Sequence, residues 1–315
     1  MSLIKTAKYA LIITFLMGLA VWVSTSQTQA QPKPAAPAAA PATPPANATA
    51  QPAPAQTETR QITPQEFLAL VQKEAEAGNP QAMLEYGSYF ERADIISRNY
   101  GTALSWYKKA AAKGLPEAHF KVGVCYEIGA GTKPDLKEAF NSYQKGSNLG
   151  SADATFKLGQ FYLQGLSVTA DAQKAFQMIE KAANAKYPPA LDELGVIYIF
   201  GQMEKKKDEK KAFDLFNQAA DAGYAKSMRN LAVIYRDGLG RPVNEVQALK
   251  WFLLARTYGD QNPALQTAII GIRDKLKPEQ VTTAEKDATE WRNNQVKKAQ
   301  AALEAARAQA NQPKK

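Results

Sequence analysis

Residues 154–165 read Ala-Thr-Phe-Lys-Leu-Gly-Gln-Phe-Tyr-Leu-Gln-Gly, and the same frame recurs up and down the chain. Gly159 belongs to a column of Gly87, Gly123, Gly159 and Gly195, with Ala232 in the fifth copy. Three residues on, Phe90, Tyr126, Tyr162, Tyr198 and Tyr235 form an aromatic column. The spacing is 36, 36, 36 and 37 in both. Two unrelated residue types keeping one beat over five copies mark stacked supersecondary units. Such arrays present extended surfaces to partners and seldom carry catalytic constellations.

Each unit reads as a helix A, a turn, a helix B and a second turn. In helix A, small residues (Ala82, Ala118, Ala154, Ala190, Ser227) are followed four on by Tyr86, Val122, Leu158, Leu194 and Leu231. With the glycine and aromatic columns they complete one helical face. A glycine recurring inside a helix, at about 0.5–1 kcal/mol relative to alanine, needs a packing reason, and a close crossing of helices A and B supplies it. Gly129, Gly165, Gly201 and Gly238 end helix A, with Ala93 the exception, where a left-handed cap is expected. Asn99, Asp135, Asp171, Asp208 and Asn244 then start helix B as N-caps. Helix B buries Ala103, Ala139, Ala175, Ala212 and Ala248, then Tyr107, Tyr143, Ile179, Phe216 and Phe252, and closes on Gly114, Gly150, Lys186, Gly223 and Gly259. Upstream, Thr63-Pro64-Gln65-Glu66 has the spacing of a capping box with proline at the first helical position, so a half-unit leads the array.

The pattern A-x-x-x-L-G-x-x-Y-x-x-G, then D-x-x-x-A, then an aromatic pair and K-A-A-x-x-G resembles the Sel-one-like repeat, a relative of the tetratricopeptide repeat. It is carried by residues 154–165, by Trp106-Tyr107-Lys108-Lys109-Ala110-Ala111 and by Asn230-Leu231-Ala232-Val233-Ile234-Tyr235. The resemblance covers roughly residues 64–291, and Thr289-Glu290-Trp291 resembles the helix that often closes these arrays. The expected fold is all-α, a right-handed superhelical solenoid of about five and a half helix-turn-helix repeats of 36–37 residues.

Around the array the composition changes. Lys5 and Lys8 precede an apolar run over residues 10–23, and Thr28-Gln29-Ala30 offers a small-residue cleavage site. Residues 1–30 read as a signal peptide, the rival being an inner-membrane anchor through residues 10–23. At about 1.5 Å per residue that run spans roughly 21 Å, short of the ~30 Å hydrocarbon core. No cysteine stands directly after it, so a lipid-modified N-terminal cysteine is not expected. Residues 31–62 hold eight prolines and eleven alanines and read as a disordered linker. The repeat array occupies residues 63–260, and residues 261–315 form C-terminal capping helices and a basic tail. The expected location is periplasmic or secreted. A single cysteine, Cys125, allows no intrachain disulfide. It shares a column with Tyr89, Phe161, Ile197 and Ile234 and reads as a buried small hydrophobe.

The formal charge of +9 is spread thinly: residues 61–260 carry +2 and residues 261–315 carry +4. That is no nucleic-acid stripe. His119 is the only histidine, so neither a zinc site nor a Ser-His-Asp arrangement can be assembled around it. Some proteins of the resembled family are associated with β-lactam binding, and Ser105-x-x-Lys108 and Ser142-x-x-Lys145 match S-x-x-K. They fall in different registers of helix B, without an S-D-N or K-T-G partner. No cofactor or metal is expected, and the chain reads as a non-enzyme. Lys205, Lys206 and Lys207, with Lys210 and Lys211, crowd the A–B turn of the fourth unit; they read as a solvated loop or as a weak contact with an anionic envelope surface.

The resemblance implies that helix A lines the concave face. One column there is Leu84, Phe120, Phe156, Asp192 and Arg229, a second Glu91, Glu127, Leu163, Ile199 and Arg236, a third Ser88, Val124, Gln160, Val196 and Val233. Leu84, Glu91, Phe120, Glu127, Phe156, Arg229 and Arg236 are the candidate protein-binding residues. They grade from acidic-apolar to basic along the face, unless the apolar members pack on neighbouring helices. The expected function is an exported, non-catalytic protein–protein interaction scaffold that binds a peptide or protein segment. The alternatives are a cell-envelope enzyme acting on cell-wall material and a membrane-tethered regulator of an envelope partner.

Overall fold

A computed structural model describes residues 63–93 and 95–310. The expected signal peptide, the Pro/Ala-rich linker and the last five residues of the basic tail lie outside the described residues. The chain falls into two compact units, one ending at Arg98 and one beginning at Asn99, so the boundary runs inside the first full repeat.

The first unit holds α1 (Pro64–Glu76) and α2 (Pro80–Arg92). The capping box forms: Thr63 Oγ1 accepts from the Glu66 amide at 3.2 Å, and Glu66 Oε2 accepts from the Thr63 amide at 2.9 Å. Phe67, Val71 and Ala75, spaced four residues apart, are the buried face of α1, and α2 buries Ala82, Met83, Tyr86, Gly87 and Tyr89. Ala93 closes α2 in the left-handed region at φ +62°. Helix geometry therefore prevails over a residue preference of about 1–2 kcal/mol.

The second unit contains nine helices of 13 residues: α3 (Tyr100–Ala112), α4 (Pro116–Ile128), α5 (Leu136–Asn148), α6 (Ala152–Gln164), α7 (Ala172–Asn184), α8 (Pro188–Phe200), α9 (Glu209–Asp221), α10 (Ala225–Asp237) and α11 (Glu245–Thr257). Two more follow, α12 (Leu265–Arg273) and α13 (Pro278–Ala310). Even-numbered helices from α4 to α10 are helices A, and odd-numbered ones from α3 to α11 are helices B. Thirteen residues make a rod of about 20 Å. The termini are set by the side chains that the columns singled out. Asp171 and Asp208 each accept from the amide three residues on at 2.8 Å, and Asn99, Asp135 and Asn244 do so at 3.0 Å. Each helix A from α4 to α10 closes on its left-handed glycine, and Lys186 takes the same conformation at φ +61° where its column otherwise has glycine.

The glycine column does mark a close crossing. A Cβ at Gly123 would sit 2.4 Å from Tyr143 Cε1, and one at Gly195 would sit 2.7 Å from Phe216 Cε1. At Gly159, where Ile179 replaces the ring, the nearest atoms are 3.2 Å away. Helix B thus drives a ring or branched chain into the notch that glycine leaves in helix A. Tyr143 also meets Phe161 of the next repeat edge-on at 5.4 Å, so one ring ties two repeats. At the C-terminal end Leu265 and Ile269 of α12 and Ala284 and Ala288 of α13 join the core around Phe252 and Leu254. Trp291 rests against Trp251 at 5.6 Å and Tyr258 at 5.8 Å. The described residues form helices and turns only, and those of the second unit stack as a helical-hairpin solenoid.

Candidate functional site

Leu84 and Glu91 lie half-buried on α2, in the first unit. The other candidates share the second unit, and there the helix-A surface is more filled than its columns suggest. Phe120 is half-buried, its ring 6.0 Å from that of Tyr143. Phe156 is buried at 8% exposure and lies against Tyr187, ring centroids 5.6 Å apart. One repeat on, Asp192 is 1% exposed. One more on, Arg229 Nε donates to Asp260 Oδ2 at 2.6 Å, and that carboxylate is itself 8% exposed. Tyr187 and Asp260 occupy equivalent places, immediately after the residue that closes helix B. From Phe156 to Arg229 this column is therefore a seam between successive repeats. A side chain leaning toward the N-terminus of its own helix meets the start of the next unit before it meets solvent. At the basic end of the face, Arg229 is thus paired with Asp260.

The second column is mixed. Glu127 Oε2 accepts from the Tyr143 hydroxyl at 2.5 Å and Oε1 from Lys157 Nζ at 3.1 Å. The phenol of Tyr143 is pushed far up, by burial first and then by the Glu127 hydrogen bond and charge. Leu163 stays 40% exposed and Ile199 is buried. Arg236 folds onto its own neighbour, with Nε and Nη2 donating to the two Asp237 oxygens at 2.6 and 2.8 Å. The third column (Val124, Gln160, Val196, Val233) is half-buried throughout. Beside it runs another helix-A column, Lys121, Lys157, Glu193 and Asn230, also half-buried. These two columns form a half-exposed strip along the middle of helix A in the second unit.

Asp192 is the polar hub that column reading passed over. Its Oδ1 accepts from Ser227 Oγ at 2.7 Å and from Asn230 Nδ2 at 2.8 Å. Its Oδ2 faces Lys226 Nζ at 2.9 Å, an ion pair without good hydrogen-bond alignment. Burial opposes the Lys226 charge, yet the Asp192 carboxylate raises its pKa overall, and Tyr224 is raised by burial and then by the same carboxylate. The signal was available: Asp192 breaks a Leu/Phe/Phe column and Ser227 breaks an alanine column one repeat later. Two exceptions in adjacent copies that satisfy each other are a pair.

The remaining candidates are placed by packing. Ser142 is buried and Ser105 exposed, and Lys108 sits over the Tyr126 ring at 5.0 Å. His119 rests beside Gly146 of α5. Cys125 is buried. Among the described residues no group of three or more His, Cys, Asp or Glu side chains converges as a metal site, and no helix is long and apolar enough to cross a membrane.

This geometry has counterparts. The Sel1 repeat protein from Oxalobacter formigenes is 26% identical with a TM-score of 0.59, over 67% of this chain and 60% of that one. A protective antigen present in uropathogenic Escherichia coli strains, displaying an SLR fold, is 27% identical with a TM-score of 0.62, over 79% of this chain and 52% of that one. The chain thus spans little more than half the length of either. No curated protein matches it. Residues 80–115, 116–151, 152–187, 188–224 and 225–257 each match the Sel1 repeat, and with more than half of its length so accounted for, the chain belongs to the Sel1 repeat family.

Proposed function

We propose that the chain is an exported, non-catalytic scaffold, periplasmic or secreted, that binds an extended peptide or protein segment along helix A of its repeats. Sel1 repeat proteins generally mediate protein–protein interactions and typically act as scaffolds. The observation that carries the finer reading is the half-exposed helix-A surface of the second unit. Lys121, Lys157, Glu193 and Asn230 pass from basic through acidic to neutral along one column, and Val124, Gln160 and Val196 line the next. Successive residues of a column are presented by successive repeats, so an extended segment crossing the helices meets one side chain per repeat. Charged and apolar side chains side by side suit an elongated ligand with both. Glu127 and Leu163 flank that track at one end and Arg236 at the other. Phe120, Phe156 and Arg229 support it from within. A weak contact of Lys205, Lys206 and Lys207 with an anionic envelope surface belongs to the same reading.

The test is site-specific photo-crosslinking in the intact protein, with benzoylphenylalanine at Gln160 on α6 or at the exposed Gln177 on α7. A protein adduct from position 160 that is absent from position 177, identified by mass spectrometry, is the expected result. Equal adducts at both positions, or adducts at 177 alone, sink the helix-A reading.

A further inference from the structure

The turns that join helix A to helix B in the fourth and fifth repeats carry an unusual surface. Phe200, the last residue of α8, is 68% exposed, and Val243, just before α11, is 58% exposed. The two turns adjoin: a Cβ at Gly240 would stand 2.6 Å from Glu209 Cβ at the start of α9. Around them three cations are held on aromatic faces. Lys205 Nζ lies 4.0 Å from the centroid of the Phe176 ring. Lys211 Nζ lies 4.0 Å from that of Tyr198 and donates to its hydroxyl at 2.7 Å. The Arg241 guanidinium sits over Phe213 at 3.1 Å and donates from Nη1 to the Tyr235 hydroxyl at 3.1 Å.

Ring seating fixes a cation without neutralising it. Of the three carboxylates in this stretch, Asp208 caps α9 by accepting from the Lys211 amide and Glu209 pairs with Lys207 at 2.6 Å, which leaves Glu204. Lys205, Lys206, Lys210, Lys211 and Arg241 form no ion pair among the described residues. The result is an apolar tip inside a collar of cations, three of them seated on rings.

We propose that this tip docks on an anionic lipid bilayer, Phe200 entering the headgroup–acyl boundary while Lys205, Lys206, Lys210, Lys211 and Arg241 meet lipid phosphates. The proposal deepens the anionic-contact part of the proposed function and stands apart from the peptide-binding part. Phe200 is over two-thirds exposed, so the protein supplies no groove wall around it. A peptide would have to provide all of its burial, whereas a bilayer surrounds it with an apolar medium. Long basic side chains beside an aromatic tip suit that boundary, with stems along the apolar layer and charges at the phosphates. Basic residues near an anionic membrane add attraction that salt weakens.

The test uses the full chain with Phe200→Cys carrying an environment-sensitive fluorophore, since the native Cys125 is buried. Leu149→Cys, exposed at the opposite end of the helices, carries the same fluorophore as the control. Because that control reads the opposite edge, attachment through the apolar N-terminal residues cannot by itself produce the expected contrast. Vesicles of phosphatidylcholine containing phosphatidylglycerol should blue-shift the label at 200 and not the label at 149. Pure phosphatidylcholine or high salt should abolish the shift. The exposed pair Lys206→Glu/Lys210→Glu, in a chain of unchanged helical content, should raise the lipid concentration for half-maximal shift by at least about tenfold. Equal shifts at both labels, no shift at 200, or an unchanged charge-reversed variant would overturn the proposal. A shift with soluble polyglutamate but not with vesicles would overturn it in favour of an acidic protein segment. Failure of crosslinking at Gln160 bears on the peptide track and leaves these outcomes readable.

Discussion

Repeats two and three and repeats four and five place their buried polar groups in different layers. In the third repeat the seam between helix A and the preceding helix B is polar: Thr155 Oγ1 donates to the Ser151 carbonyl at 2.6 Å and accepts from Ser147 Oγ at 2.9 Å. The equivalent positions further on are Leu191 and Met228, 2% and 0% exposed. The seam between each helix A and the start of the next helix A behaves oppositely. It is aromatic at Phe156 and Tyr187, then polar at Asp192 with Ser227, and ionic at Arg229 with Asp260. One backbone template therefore accepts polar chemistry in either layer, provided each polar group finds a partner placed by the adjoining unit. Apolar seams favour stacking in general, and polar ones discriminate which unit stacks on which.

The sharpest way to break this contrast is Asp192→Ala. It strands the Ser227 hydroxyl, at 0% exposure, and the Asn230 amide, and a loss of about 2–4 kcal/mol is expected from urea unfolding. The double variant Asp192→Leu/Ser227→Ala restores the residue types of the earlier repeats and should return to within about 1 kcal/mol of wild type. If the double variant is as unstable as the single one, the two seam types are not interchangeable.

Next in size is the notch between helices A and B. Gly123→Leu must displace the buried Tyr143 ring, and a loss of about 1–3 kcal/mol is expected, toward the upper end. Gly159→Leu, facing Ile179 at 3.2 Å, should fall lower in that range. Gly159→Ala should be nearly neutral, because alanine's helix propensity returns up to about 1 kcal/mol. Thermal midpoints in the reverse order would mean that the ring does not set the crossing.

The two arginines should separate. Arg229→Ala leaves the Asp260 carboxylate without its cation and is expected to lower the unfolding free energy by about 1–2 kcal/mol. Arg236→Ala removes an exposed pair with a sequence neighbour and should stay within about 0.5 kcal/mol. Equal midpoints for the two variants would deny Arg229 its place in the inter-repeat seam.

The smallest effect concerns His119, at the position that Thr155 occupies one repeat later. Burial, and then the Lys145 charge, hold its imidazole below the ordinary histidine value of 6.5. The unfolded chain therefore takes up this proton at higher pH than the folded chain. Its contribution is favourable above about 6.5 and is lost as the pH falls from there toward the folded value. His119 is the only histidine, so a modest fall in urea midpoint between about pH 7 and about pH 5.5 should flatten in His119→Leu. An identical slope in the variant would assign the dependence to carboxylates.

The repeat frame and its caps were legible in the sequence because their causes are local. A left-handed closing residue, an Asp or Asn that accepts from the amide three residues on, and an alanine stripe all act within a dozen positions. The exceptions were legible too, and Ala93 and Lys186 adopt the glycine conformation of their columns. The helix-A surface was less so. Whether Phe156 or Arg229 faces solvent depends on Tyr187 and Asp260, each 31 positions away, and Asp260 lies past the last periodic glycine. A column shows which residues are equivalent, but not which residue of the next copy each one meets.

The Asp192–Ser227 hydrogen bond bears on how the array could have grown. Copies that meet through apolar side chains can be duplicated or deleted whole, since any copy fits any neighbour. A copy inserted between the fourth and fifth would instead set Asp192 against whatever that copy carries at the Ser227 position, which is alanine in the other four. The carboxylate would then lose a buried donor, and the fifth copy's serine would lose its acceptor. The bond thus records an order of assembly, and repeat number in this part of the chain is free to change only where it is absent.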